Sequence, residues 1–136
     1  MDLIDEKIIA ELQNDSRLSM AELGRRVHLT PPAVKERVKQ LEEKNIITDY
    51  TISVNHKSLG YPISAIIEAT IKNNRYEDFK SYIHTLSEVE FCYRISGDAC
   101  FILKGQFTSF EHAEEFINKL LPYANTKTSF IFSQVK

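Results

Sequence analysis

Six basic residues, Arg17, Arg25, Arg26, Lys35, Arg37 and Lys39, fall between positions 16 and 41, where only two acids, Glu22 and Glu36, oppose them. The whole chain of 136 residues has a formal net charge of −2. A local excess of cations on a nearly neutral chain suits a surface that meets a polyanion on one side only. The chemistry on offer is therefore recognition. Guanidinium and ammonium groups can pair with phosphate oxygens, and the amide of Gln40 can read base edges. Covalent chemistry is poorly served: the sequence holds no GxSxG, P-loop, GxGxxG or HExxH. His28, His56, His84 and His112 are dispersed and read as surface or capping residues. Cys92 and Cys100 lie in apolar runs and read as reduced, buried thiols of a cytoplasmic protein. They and the scattered histidines do not make a metal-ligand set, so no metal, cofactor or enzymatic activity is expected. An enzyme built on the second half of the chain would leave residues 17–41 without a purpose.

The elements that must carry these cations come first in the chain. Ile4, Ile8 and Leu12 recur at helical spacing, and "QNDSR" stops that helix. Ser19 and Glu22 have capping-box spacing, so a second helix starts near Met20 and turns Met20, Leu23 and Val27 inward. In "LTPPAVKERVKQLEEKNII", Thr30 is a good N-cap, and Pro31-Pro32 are harmless only in a first helical turn, where their amides would be unpaired anyway. Val34, Val38 and Leu41 then face the core, while Pro32, Lys35, Glu36, Lys39 and Gln40 project outward. Arg37 lies on the flank of the buried stripe, where it either pairs with an acid of the first helix, such as Asp5, or touches a ligand.

Two helices with a tight connection, the second sharply started and outwardly polar, read as a winged-helix-like helix-turn-helix. The first-turn amides and positive dipole end of the second would favour phosphate, and its next turns would lie in a major groove. The expected DNA surface is Ser19, Arg25, Arg26, Thr30, Pro31, Pro32, Ala33, Lys35, Glu36, Arg37, Lys39 and Gln40. A plain three-helix bundle without a ligand is the other reading, and the glycine-free turn "VHLT" speaks for it.

The second half changes period. "IITDYTISVN" alternates as a strand at Thr48, Tyr50, Ile52 and Val54, and "HKSLGYP" reads as a boundary loop. This divides the chain into a helix-turn-helix domain (1–46), a strand and linker (47–62) and a third region (63–136). The third region begins with the strand "ISAIIEATIK" and a helix carrying Tyr76, Phe79, Ile83 and Leu86. Strands "VEFCYRIS" and "ACFILKGQF" follow, joined by a tight turn at Ser96-Gly97-Asp98. A Thr108–Glu111 capping box starts a helix bearing Phe110, Ala113, Ile117 and Leu120, and "TKTSFIFSQV" is the last strand. The order is β-α-β-β-α-β, ferredoxin-like, and the fold class is α+β.

One sheet face is covered by the two helices, and apolar runs on the other call for a partner. A homodimer through this sheet is expected. It would carry two recognition helices to half-sites about 34–36 Å apart. No apolar run of about 18 residues exists to span a membrane, and the acidic N-terminus does not look like a signal peptide.

The chain resembles the Lrp/AsnC (feast/famine) family of bacterial and archaeal transcriptional regulators, and within it the LrpC-type members. The motifs that carry the resemblance are "IIAELQNDSRLSMAELGRRVHLTPPAVKERVKQLEEKNII" and "YRISGDACFILKG". It covers essentially the whole chain. It implies a DNA-binding regulator acting as a dimer that often closes into an octamer, able to bend or wrap DNA, cytoplasmic and nucleoid-associated. It also implies an amino-acid effector near the hairpin turn, which points to Tyr93, Gly97, Asp98 and Cys100. The family pattern there has a second acid where this chain has Cys100. That leaves Asp98 as an effector ligand or a simple turn former, and the effector as absent or unlike leucine. The alternative function is a nucleoid-type architectural protein that wraps or bends DNA without an effector.

Overall fold

A computed structural model describes all residues, Met1–Lys136. They separate into two units, Met1–Ser53 and Val54–Lys136. No helix is long and apolar enough to cross a membrane.

The first unit holds α1 (Leu3–Asn14), α2 (Met20–Val27) and α3 (Pro31–Glu43). Each helix starts at a side chain that accepts an otherwise unpaired amide. The Asp2 carboxylate accepts from the Asp5 N–H at 2.9 Å, and Asp5 returns the favour to the Asp2 N–H at 3.3 Å. The Ser19 hydroxyl accepts from the Glu22 N–H at 3.0 Å. Thr30 accepts from the Ala33 N–H at 3.4 Å, with both prolines in the first turn as expected. Ile8, Leu12, Leu23, Val27, Val34, Val38 and Leu41 are buried together and make the core.

The missing turn glycine has a structural answer. His28 itself takes the left-handed backbone, at φ 60° and ψ 42°, and ends α2. The glycine that matters is Gly24, inside α2. A Cβ there would stand 2.5 Å from the Leu29 carbonyl oxygen, whose own residue donates its N–H to the Gly24 carbonyl at 2.9 Å. The bare backbone of Gly24 is what lets the turn lie so close.

The strand expected over 48–54 does not form. Residues 46–53 stay with the helical unit instead. Alternation makes a strand only where a neighbour supplies a ladder, and no other segment of the chain pairs with this one. The segment folds back: the Ile46 and Ile47 N–H groups both donate to the Leu41 carbonyl, and the Tyr50 hydroxyl donates to Glu42 Oε1 at 2.7 Å.

The second unit opens with a 3-10 turn, His56–Leu59, closed by Gly60 at φ 93°. It continues as β1 (Ile63–Ile71), α4 (Tyr76–His84), β2 (Val89–Arg94), β3 (Phe101–Phe107), α5 (Phe110–Leu120) and β4 (Ala124–Phe130). The sheet order is β2-β3-β1-β4, antiparallel throughout, which is the expected ferredoxin-like arrangement. Ala65, Ile67, Ala69, Phe101, Leu103 and Phe107 pack under Phe79 and Ile83 of α4 and Ala113, Phe116 and Leu120 of α5.

Four local expectations need correction. The cap of α5 is Ser109, not Thr108, because His112 completes it: the Ser109 hydroxyl accepts from the His112 N–H at 3.0 Å, and His112 Nδ1 accepts from the Thr108 N–H at 2.9 Å. Phe110 is exposed, edge-on to Phe130 at 5.0 Å, and Phe116 is buried beside Ala113 and Leu120. The hairpin turn is longer than Ser96–Asp98, since the Ile95 N–H reaches the Cys100 carbonyl at 3.0 Å, with Gly97 at φ 108°. β4 spans Ala124–Phe130 and does not reach Val135: Ala65 faces Phe130, and the last bond is from the Ile131 N–H to the Ser64 carbonyl.

The sheet face away from the helices is mixed rather than apolar throughout. By alternation from the register it carries Ile66, Ile102 and the stacked Phe91–Tyr93 pair. Beside them lie the ion pairs Lys104–Glu90 (3.3 Å) and Lys127–Glu68 (4.0 Å).

Candidate nucleic-acid interface

The outward side of α3 is exposed at Pro31, Pro32, Lys35, Glu36, Lys39 and Gln40, and Ala33 is half-buried at its start. Lys35 makes no ion pair. Lys39 Nζ stands 3.9 Å from Glu43 Oε1, with both side chains mostly exposed. Such a pair is weak, so the ammonium remains free to exchange partners. Gln40 Nε2 donates to Glu36 Oε1 at 3.4 Å. Thr30, Pro31 and Pro32 fix where this row begins. A groove of about 740 Å³ runs beside it, between Leu12, Ser16 and Met20 on one bank and Lys35, Lys39 and Tyr50 on the other.

Other cations of the expected surface are spent on the frame. Arg37 was open between an internal acid and a ligand, and the acids hold it. Its Nη1 lies 2.7 Å and 2.9 Å from the two Asp2 oxygens and 3.1 Å from Asp5 Oδ1. This ties α3 to the first turn of α1. The hydrogen bond from Arg37 is the main reason the Asp2 carboxyl titrates below its ordinary 3.8, and the same bonds raise the Arg37 guanidinium. Arg26 bridges α2 to α1 through Glu11 at 2.8 Å and to its own helix through Glu22 at 3.2 Å. Arg25 pairs with Glu22 at 2.6 Å but is 78% exposed. The Ser19 and Thr30 hydroxyls accept from their own helix amides, which leaves each O–H able to donate. The positive side that faces outward is thus narrower than the sequence suggests: Lys35 and Lys39, with Arg25 and Arg17 on the periphery.

Tyr50 escaped the sequence reading. Burial and its bond to Glu42 push its hydroxyl up to about 12. Nothing in the sequence signals a contact between residues eight apart across a non-helical turn. The Asp2–Asp5–Arg37 cluster had half a signal, since acids in a first turn attract a cation from a neighbouring helix.

In the second unit the residues expected at an effector site lie along the β2–β3 hairpin. Tyr93 is exposed on the open sheet face and stacks on Phe91 at 5.0 Å. Gly97 and Asp98 sit in the exposed hairpin loop. Cys100 belongs to the end of the ladder, with its Sγ 3.7 Å from the Tyr76 hydroxyl. The Ile71 N–H and then Tyr76 lower the Cys100 thiol from its ordinary value, whereas burial raises Cys92. No cluster of three or more His, Cys, Asp or Glu side chains is arranged to hold a metal ion.

The AsnC-type helix-turn-helix domain matches residues 1–42, and the Lrp/AsnC ligand binding domain matches residues 64–136. The chain belongs to the Lrp/AsnC family. The HTH-type transcriptional regulator LrpC of Bacillus subtilis is 58% identical over 135 residues, covering 99% of this chain and 94% of that protein. The solved structure of B. subtilis LrpC superimposes with a TM-score of 0.97 over 100% of this chain and 97% of its own. LrpA of the same organism is 38% identical over 98% of this chain and 99% of its own length. A transcriptional regulator of Neisseria meningitidis, solved as a complex with L-methionine, is 28% identical with a TM-score of 0.94, covering 100% of this chain and 92% of that one. This member of the Lrp/AsnC family is accordingly a DNA-binding transcriptional regulator of the helix-turn-helix type, and α2–α3 is its helix-turn-helix.

Proposed function

We propose that the regulator docks the outward row of α3 in the major groove of double-stranded DNA. Lys35 and Lys39 meet phosphates, while Glu36 and Gln40 face base edges. The observation that carries this is the free state of that row. Thr30 and the two prolines set its start, Asp2 and Asp5 fix its rotation through Arg37, and Lys35 is left without a counter-ion. Arg37 and Arg26 support the surface rather than touch DNA, and Ser19, which caps α2, keeps its O–H for a phosphate. Thr30 and Pro31 bring the first-turn amides toward a phosphate, where the helix dipole favours an anion.

The units divide the labour. The helical unit reads DNA, and the sheet unit assembles a homodimer, and higher oligomers up to an octamer, through the face bearing Phe91, Tyr93, Ile66 and Ile102. A small apolar amino acid, of the kind bound by the Neisseria relative, acts as effector near Tyr93 and the Gly97-Asp98 loop, in a cytoplasmic, nucleoid-associated protein. The effector-free coating protein considered from the sequence gains no support from the relatives, which are named as regulators.

The test is salt dependence. Each lost phosphate contact lowers the slope of log affinity against log salt by roughly 0.9. Lys39→Ala is expected to weaken binding to all duplexes alike and to flatten the slope by about that amount. An unchanged slope in both Lys35→Ala and Lys39→Ala would remove this row from the phosphate backbone.

A further inference from the structure

We infer that Glu36 is a specificity-determining residue that reads cytosine, through its exocyclic amino group, at one position of each DNA half-site. The inference rests on the docking of α3 proposed above and goes further in naming the base.

The starting point is an imbalance along α3. Arg37 is held by Asp2 and Asp5, Glu42 by the Tyr50 hydroxyl, and Glu43 has Lys39 nearby at 3.9 Å. Glu36 and Lys35 are left without an ionic partner. An unpaired ammonium on a face that meets phosphate needs no special account. An unpaired carboxylate in the middle of the same face does, because repulsion from the backbone opposes binding. Glu36 is the sixth residue of α3, nearly two turns beyond the cap, and it projects away from the Val34–Val38–Leu41 stripe. A side chain so placed lies toward the floor of the groove rather than its phosphate rim.

On that floor a carboxylate, which only accepts hydrogen bonds, can be satisfied by few groups. Guanine offers two acceptors there, and thymine offers an acceptor and a methyl group. Adenine offers its amino donor, but beside the N7 acceptor, which repels a second carboxylate oxygen. Cytosine offers the amino donor alone. The carboxylate is also aimed in advance: Gln40 Nε2 holds Glu36 Oε1 at 3.4 Å, leaving Oε2 open. Gln40 keeps its own carbonyl and second N–H for the neighbouring pair.

The experiment is selection from randomised duplexes with the full-length protein and its Glu36→Ala and Glu36→Gln variants, followed by affinities on single-base variants of the selected site. The expected result is a cytosine selected by the wild type at one half-site position, discriminated about five- to tenfold or more. Glu36→Ala should lose that preference and keep the others. Glu36→Gln should move it toward adenine, whose N6 and N7 match an amide. An exposed helical position tolerates both substitutions, and far-ultraviolet circular dichroism confirms that each variant is folded. If Glu36→Ala keeps the cytosine, or gains affinity for every sequence equally, the carboxylate only repels phosphate and the inference is overturned alone. If the wild type selects no base anywhere, the inference falls together with the docking of α3.

Discussion

Gly24→Ala isolates the geometry of the helix-turn-helix better than any change on the DNA face. In an ordinary helix interior the substitution stabilises by about 1 kcal/mol, because alanine loses less backbone entropy. Here the new Cβ would stand 2.5 Å from the Leu29 carbonyl oxygen. Ordinary contact begins near 3.4 Å, so the turn must retreat by roughly 1 Å. The obstacle is backbone, and it belongs to the residue before the Thr30 cap, so α3 must move with it. Overpacking of this kind costs ~1–3 kcal/mol, enough to cancel the helical gain and leave a net loss of about 1 kcal/mol. Hydrogen exchange at the Leu23 and Val27 amides, measured in the full-length protein, reports the stability of this unit separately from the sheet. Both amides should exchange faster in the variant, and duplex affinity should fall although no DNA-facing side chain has changed. A variant stabilised by about 1 kcal/mol, with unaltered DNA binding, would refute the close-approach argument.

Further outcomes follow from the titrating groups. Asp2 has a folded value below its ordinary 3.8, so its bond to Arg37 stabilises α1 fully above about pH 4 and is lost as pH falls through the lowered value; Arg37→Ala should remove most of that acid-side dependence, read as helix loss on acidification below about pH 4. Tyr50 is raised to about 12, so its bond to Glu42 is intact below pH 10 and fails between there and 12; ultraviolet titration should show a late phenol that Tyr50→Phe abolishes. Iodoacetamide should alkylate Cys100 before Cys92, since the thiolate is the nucleophile and only Cys100 has it stabilised; mass spectrometry of peptides gives the order.

What the sequence revealed and what it hid differ in kind. The caps at Ser19 and Thr30, the Pro-Pro start and the Val34–Val38–Leu41 stripe are local. Spacing alone determines them, and the structure agrees. The β1 alternation was equally legible because one of its faces is buried. The segment at 48–54 alternates just as cleanly and is not a strand, because alternation records which residues could share a face and not whether a neighbour is there to pair with. Thr108 and Ser109 are equivalent caps in the sequence, and only the bond from the His112 N–H to the Ser109 hydroxyl tells them apart; Ala113 and Leu120 face the core as the spacing predicts, with Phe116 beside them and Phe110 exposed. In the candidate site the outward row was readable, but its free charge was overestimated. Arg26 finds Glu11 on α1 at a sequence separation that no helical period encodes, and Arg37 takes the pairing with Asp5 that its place on the flank of the stripe had left open. The glycine-free turn misled for a related reason: His28 supplied the left-handed backbone, and the close approach was handed to Gly24.

The central claim is that the outward row of α3 lies against duplex DNA. Lysine footprinting tests it most directly, by acetylating the full-length protein with and without duplex at low salt and reading each lysine by mass spectrometry. The account predicts that Lys35 and Lys39 become protected while Lys80 and Lys127, in the sheet unit, react as before. Undiminished acetylation of Lys35 and Lys39 in a saturated complex would contradict it.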